Sequence, residues 1–124
     1  MKMIGIAAAV LALGMAAPAA AMPVSTFLAK ADGLKKKGPL ALFSGDLKLL
    51  MNTVKADAAV LRSERLAARA AGRPTAFCPP EAGVKLSDKD ILTAMQAVPA
   101  GQRAGTDTRA ALRTYMARRF PCRA

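Results

Sequence analysis

The sequence predicts an all-α fold, and three observations point to it. Apolar residues recur at intervals of three and four over four separate segments. Serine, threonine or aspartate side chains able to cap a helix stand before three of these segments, and glycine or proline follows them. No segment of convincing length alternates apolar and polar residues as a β-strand does. We therefore expect a small four-helix domain with one long helix.

The first two helices are expected on either side of a turn that contains Gly38. Val24 to Lys37 has helical apolar spacing and ends in three lysines, where cations stabilise the helix dipole. Gly45 to Ala71 would follow, capped by Ser44 and about 40 Å long. A domain of this size is only about 35 Å across, so this helix should project, bend or pack on a second chain. Its predicted buried stripe consists of Leu47, Leu50, Met51, Val54, Ala58 and Leu61.

The last two helices follow a C-P-P segment that cannot start a helix. Ser87 and Asp90 have the spacing of a capping box for the third helix. A fourth helix should start at Thr106 or Asp107. The residues expected to face the core are Ile91, Leu92, Met95 and Val98 in the third helix, and Ala111, Leu112, Tyr115, Met116 and Phe120 in the fourth.

The N-terminal segment has the layout of a secretory signal peptide. Lys2 precedes an uncharged run, and Ala19 and Ala21 form an A-x-A site. Cleavage after Ala21 would leave residues 22–124 as a single helical domain. A retained membrane anchor is the alternative, because the run from Met3 to Met22 is long enough to span a bilayer. The expected location is the periplasm.

The two cysteines, Cys78 and Cys122, stand just outside the third and fourth helices. In an oxidising compartment two cysteines favour one intramolecular disulfide, and free thiols or an intermolecular bridge are the alternatives. The bond would close a C-terminal helical hairpin. Closing a loop of this length is worth about 4 kcal/mol, so we interpret the disulfide as structural.

The basic composition has several interpretations. The formal net charge of +11 falls to +10 without Lys2. Export and the scattered aromatic residues argue against nucleic acid, so we predict none as a partner. Arg62, Arg65, Arg69 and Arg73 recur along the long helix, either as a basic edge or as a solvated face. An acidic partner surface, anionic lipid headgroups, cell-wall polymer, and solubility or genomic bias alone all remain open.

The residues for catalysis are not evident. The chain has no histidine, which is the commonest general base and metal ligand. All eight acidic residues can be placed on exposed faces or at helix starts. We therefore predict no catalytic residues, no metal site, no cofactor and no enzymatic activity.

Residues 77–122 carry a family resemblance. The C-P start, the capped segment LSDKDILTAMQAVP and the closing ALRTYMARRFPC resemble the Rap/Tai family of periplasmic immunity proteins. Those proteins partner type VI secretion effectors that are peptidoglycan amidases. The resemblance implies a small helical fold, often dimeric, that blocks an effector by inserting surface loops into its active cleft.

On this chain those loops would be Pro79 to Leu86 and Pro99 to Gly105. Lys85, Gln102 and Arg103 are their candidate partner-binding residues. Two other functions are alternatives, a periplasmic stress chaperone and an envelope-associated structural protein.

Overall fold

The computed structural model describes residues 21–123. Ala124 and all of the predicted signal peptide except Ala21 lie outside the described residues. Within that range the chain has no β-strand. Its helices are α1 (Val24–Lys37), α2 (Gly45–Ala70), α3 (Asp88–Gln96) and α4 (Thr108–Arg119), with short 3₁₀ segments at Gly38–Phe43 and Ala100–Gln102. The predicted all-α class, the four helices and the single long helix are confirmed.

The helix starts follow the predicted caps. The Ser44 hydroxyl accepts a hydrogen bond from the Asp46 amide at 3.2 Å. At α3, the Ser87 hydroxyl accepts from the Asp90 amide at 3.1 Å, and the Asp90 carboxylate accepts from the Ser87 amide at 2.9 Å. This reciprocal capping box satisfies two backbone donors that a helix start otherwise leaves without partners.

One core lies between all four helices. α4 packs on α2 and α3, and α1 contacts each of the other three. Met95 of α3 and Leu112 of α4 are completely enclosed. The other large apolar side chains of the core are Val24, Phe27, Leu34, Leu50, Leu61, Phe77, Ile91 and Met116. The residues predicted to face the core in α3 and α4 are buried or partly buried.

The prediction for α2 is wrong in part, because its buried face is rotated. Met51 is half exposed and Ala58 is exposed, whereas Thr53 and Asp57 are buried. Asp57 also contradicts the expectation that every acid lies on an exposed face or at a helix start. Burying a carboxylate is costly without partners, and Thr108 and Arg109 of α4 supply them.

The chain before α1 is fastened to the start of α4. Pro23 and Asp107 form an isolated antiparallel bridge. The Thr108 amide donates to the Met22 carbonyl at 2.8 Å, and the Val24 amide donates to the Thr106 carbonyl at 2.8 Å. These bonds fix the entry into α1 at Met22, the residue predicted to begin the mature chain.

Candidate binding surfaces

The predicted disulfide is confirmed. Cys78 and Cys122 are bonded, with their Cα atoms 4.9 Å apart, and the Cys78 amide donates to the Phe120 carbonyl at 2.8 Å. The Thr75 hydroxyl oxygen lies 3.4 Å from both sulfur atoms. Since a disulfide sulfur has no hydrogen, the hydroxyl is the donor. The bond therefore joins the segment before α3 to the end of α4 and anchors the chain that leaves α2.

A basic cavity of about 600 Å³ opens beside this disulfide. We call it the arginine cleft. Its lining comprises Arg65, Arg69, Arg73, Pro74, Thr75, Phe77, Cys78, Pro79, Glu81, Cys122 and Arg123. Three of the arginines come from the end of α2 and its exit, and the fourth follows the disulfide. The volume falls in the range of small-molecule and side-chain pockets.

The charge of the arginine cleft is largely uncompensated. Within residues 21–123, none of its four arginines has a carboxylate within ion-pair distance. Glu81 is the one acid in the lining. The Nε atom of Arg65 is buried and has no hydrogen-bond acceptor. A buried donor without an acceptor is unfavourable. Four arginines against one glutamate leave the lining of the cleft positively charged.

Local structure explains how the arginines converge. Arg65 and Arg69 are four residues apart and share one side of α2. The helix then ends in a Schellman motif, in which the Arg73 amide donates to the Ala68 carbonyl at 2.8 Å and the Gly72 amide to the Arg69 carbonyl at 3.1 Å. Gly72 has a φ of 69°, a left-handed conformation that favours glycine. After this turn, Arg73 lines the same cleft as Arg69.

The candidate residues from the sequence do not form one cluster. Lys85 is exposed before α3, while Gln102 and Arg103 follow it. The nine residues of α3 separate them by about 14 Å along the helix. Arg103 has a structural role that the sequence did not reveal, since its guanidinium donates to the Val98 carbonyl at 2.7 Å and to the Gln96 carbonyl at 2.9 Å. These bonds satisfy carbonyl groups at the end of α3.

A second surface lies at the other end of α2. The 3₁₀ segment Gly38–Phe43, which we call the apolar turn, exposes Leu40, Leu42 and Phe43 by 69%, 75% and 87%. Gly38, at its start, has φ 58° and ψ −134°, a backbone conformation nearly restricted to glycine. The sequence predicted only a turn here. The pattern that could have indicated an exposed apolar surface is three large apolar residues between Gly38 and Gly45.

Residues 21–123 hold no group of three or more histidine, cysteine or acidic side chains that could bind a metal ion. The helices of that range do not include one long and apolar enough to cross a membrane. Comparisons with protein-family models, curated proteins and solved structures gave no match. What the arginine cleft and the apolar turn can bind therefore has to be inferred from their charge, exposure and shape.

Proposed function

We propose that the mature chain is a non-catalytic periplasmic protein that binds and blocks an effector enzyme. The class of partner is the one implied by the family resemblance, a peptidoglycan amidase. The observation that carries the proposal is the arginine cleft, a concave and uncompensated basic surface next to a rigid disulfide. We infer that it receives acidic side chains of the partner.

Arginine suits this role for a physical reason. Its planar guanidinium can donate two parallel hydrogen bonds to one carboxylate, which gives both affinity and orientation. Arginine is also enriched among the residues that dominate protein interfaces. A cleft with four arginines and one glutamate thus favours an acidic protein surface.

The loop from Pro79 to Leu86 adjoins the arginine cleft and can contact the same partner. Pro79 and Glu81 line the cleft and belong to the loop predicted to enter the effector. Cys78 holds the start of this loop, the Gly83 amide donates to the Pro80 carbonyl at 3.0 Å, and α3 begins at Asp88. Restraining a loop before binding lowers the entropy lost on association. The disulfide would therefore contribute to affinity as well as to stability.

The first test is whether an open reading frame beside the gene of this chain encodes a peptidoglycan amidase, and the second measures inhibition of that enzyme. Mature wild-type protein, Arg69→Ala and Arg62→Ala would be titrated against release of stem peptides from peptidoglycan. Arg69 lines the cleft, whereas Arg62 is exposed on the same helix and is not part of the lining. The two variants lose the same charge and differ in position.

We expect the wild type and Arg62→Ala to inhibit equally. Arg69→Ala should inhibit roughly thirtyfold less tightly, as expected for an interface arginine worth about 2 kcal/mol. Failure of the wild-type protein to inhibit the amidase would refute the proposed function. Equal weakening by both variants would refute the cleft as its site.

A further inference from the structure

The apolar turn is unusual because its largest side chains face solvent. Phe43 and Leu42 are among the most exposed large apolar residues of the described chain. They lie next to each other and near Leu40 within one short 3₁₀ segment. Single exposed apolar residues are common on protein surfaces, but a contiguous group of three at one tip marks an interaction site.

We propose that the apolar turn inserts into the headgroup region of a bilayer that contains anionic phospholipids. The inference is independent of the proposed function, since it concerns the opposite end of α2 and other residues. The insertion would be shallow and reversible, with three side chains entering the interface and the helices remaining outside.

Positive charge surrounds the base of the apolar turn. Lys35, Lys36 and Lys37 form the last turn of α1, directly before it. Lys48 lies in the first turn of α2, directly after it. The Lys37 ammonium is 3.4 Å from the Ser44 hydroxyl, which places this charge at the foot of the turn beside Phe43. A basic group near an anionic membrane surface strengthens binding by about fivefold, so several lysines add substantially.

The nearby acids do not cancel this charge. Asp32 lies 3.3 Å from Lys36, and Asp46 lies 3.3 Å from Lys30. Each carboxylate is thus matched by one lysine. Lys35, Lys37 and Lys48 remain without a carboxylate within ion-pair distance in residues 21–123. An excess of cations around an apolar tip is complementary to lipid phosphates.

The backbone of the apolar turn suits a partly apolar environment. Its 3₁₀ bonds satisfy backbone groups internally, and the Ser44 amide at its end donates to the Ala41 carbonyl at 2.9 Å. Pro39 has no amide hydrogen to satisfy. Unpaired backbone groups oppose entry into lipid, so the closed 3₁₀ structure lowers this cost. Lysines can also keep their ammonium groups at the phosphates while their alkyl stems follow the apolar tip.

The test uses tryptophan as a local reporter, because the chain has none. Phe43→Trp places the reporter at the tip. Leu66→Trp is the matched control, since Leu66 is 47% exposed near the other end of α2. Each mature variant would be titrated with vesicles of phosphatidylcholine alone or mixed with phosphatidylglycerol, at low and high salt. Fluorescence emission and sedimentation with the vesicles would be recorded.

We expect the Phe43→Trp emission to shift to shorter wavelength only with phosphatidylglycerol vesicles, and high salt to weaken binding at least tenfold. Leu66→Trp should sediment equally well without a shift in its emission. Phe43→Ser should sediment at least tenfold more weakly, and its circular dichroism should match the wild type because residue 43 is exposed. Absence of wild-type binding would overturn the proposal, as would equal binding to both lipid mixtures.

Two other occupants give distinct results that would also overturn it. If a second copy of this chain covers the apolar turn, the Phe43→Trp emission will shift as protein concentration rises without vesicles, and the sedimentation coefficient will rise in parallel. If a protein partner covers it, the emission will shift on adding the amidase and stay unchanged with vesicles.

Discussion

The hydroxyl of Thr108 donates a 2.6 Å hydrogen bond to the carboxylate of Asp57, and both side chains are completely buried. The bond joins the middle of α2 to the first residue of α4. The Thr108 hydroxyl is also 3.3 Å from the amide of Met22, and the Nε atom of Arg109 is 3.3 Å from the second oxygen of Asp57. One polar cluster therefore links α2, α4 and the segment before α1.

Thr108→Val should destabilise the fold by about 1–3 kcal/mol. The replacement keeps the shape of the side chain and leaves the buried Asp57 carboxylate without its shortest hydrogen bond. Urea unfolding followed by circular dichroism would measure the loss. Thr114→Val is the matched control, because Thr114 is exposed on the same helix, and it should change stability by less than about 0.5 kcal/mol. Similar losses for both variants would contradict the importance of this bond.

The pH dependence of stability should reveal the burial of Asp57. Burial raises the pKa of this carboxyl above its ordinary value of 3.8, although Thr108 and Arg109 partly oppose the shift. The folded protein then holds the proton more tightly, so Asp57's contribution to the free energy of unfolding falls as pH rises from 3.8 through the folded pKa. The free energy of unfolding of the wild type should therefore fall relative to that of Asp57→Asn over this interval. A constant difference would contradict the raised pKa.

Asp90 should have the opposite effect in acid. The Ser87 amide and the Tyr115 hydroxyl donate to its carboxylate and lower its pKa to about 2. Its contribution is therefore present above the ordinary value of 3.8 and is lost as pH falls toward 2. Asp90→Asn should lose less stability than wild type over this range in pH-dependent urea unfolding. Parallel curves would show that Asp90 titrates normally.

Removing the disulfide should cost about 4 kcal/mol, because the bond closes a loop with a sequence separation of 44. The double variant Cys78→Ser, Cys122→Ser would be compared with wild type by urea unfolding, with and without reductant. Reductant should destabilise the wild type and leave the double variant unchanged. A double variant as stable as the oxidised wild type would show that packing alone holds the end of α4.

Alanine substitutions at Gly33 and at Gly38 should change the stability of the fold in opposite directions. Gly33 lies within α1, and an added Cβ would meet no atom within 4 Å. Gly33→Ala should stabilise by about 0.5–1 kcal/mol, since alanine is the better helix former. Gly38→Ala should destabilise by about 1 kcal/mol or more because of the positive φ of 58°. Thermal unfolding would compare them, and a shift of the same sign for both would contradict the backbone argument.

Local signals in the sequence were sufficient to predict the bounds of all four helices closely. α1 begins at Val24 and ends at Lys37 as predicted, because Pro23 and Gly38 bound it. The capping box of α3 also depends on residues three positions apart. Such features arise from neighbours along the chain, so a single sequence displays them.

Features that depend on residues far apart in the chain could not be predicted from local sequence patterns. The face of α2 was assigned from apolarity, which favoured Met51 over Asp57. Asp57 is buried only because residues of α4, some fifty positions later, supply its hydrogen bond and cation. The arginine cleft likewise combines residues far apart in the chain, because the disulfide at Cys122 holds Arg123 at the cavity that Arg69 also lines. The spacing of Arg65, Arg69 and Arg73 was visible in the sequence as a periodic pattern, but their common cavity was not.

The length of α2 has a consequence for how the two surfaces respond to mutation. From Gly45 to Arg69 the helix rises about 36 Å, so the apolar turn and the arginine cleft share no contacts. Substitutions that far apart act additively in most proteins. A variant carrying both Phe43→Ser and Arg69→Ala should therefore show each single defect at full size and no coupling between them. The two ends of this small domain can change independently during evolution while the fold between them stays the same.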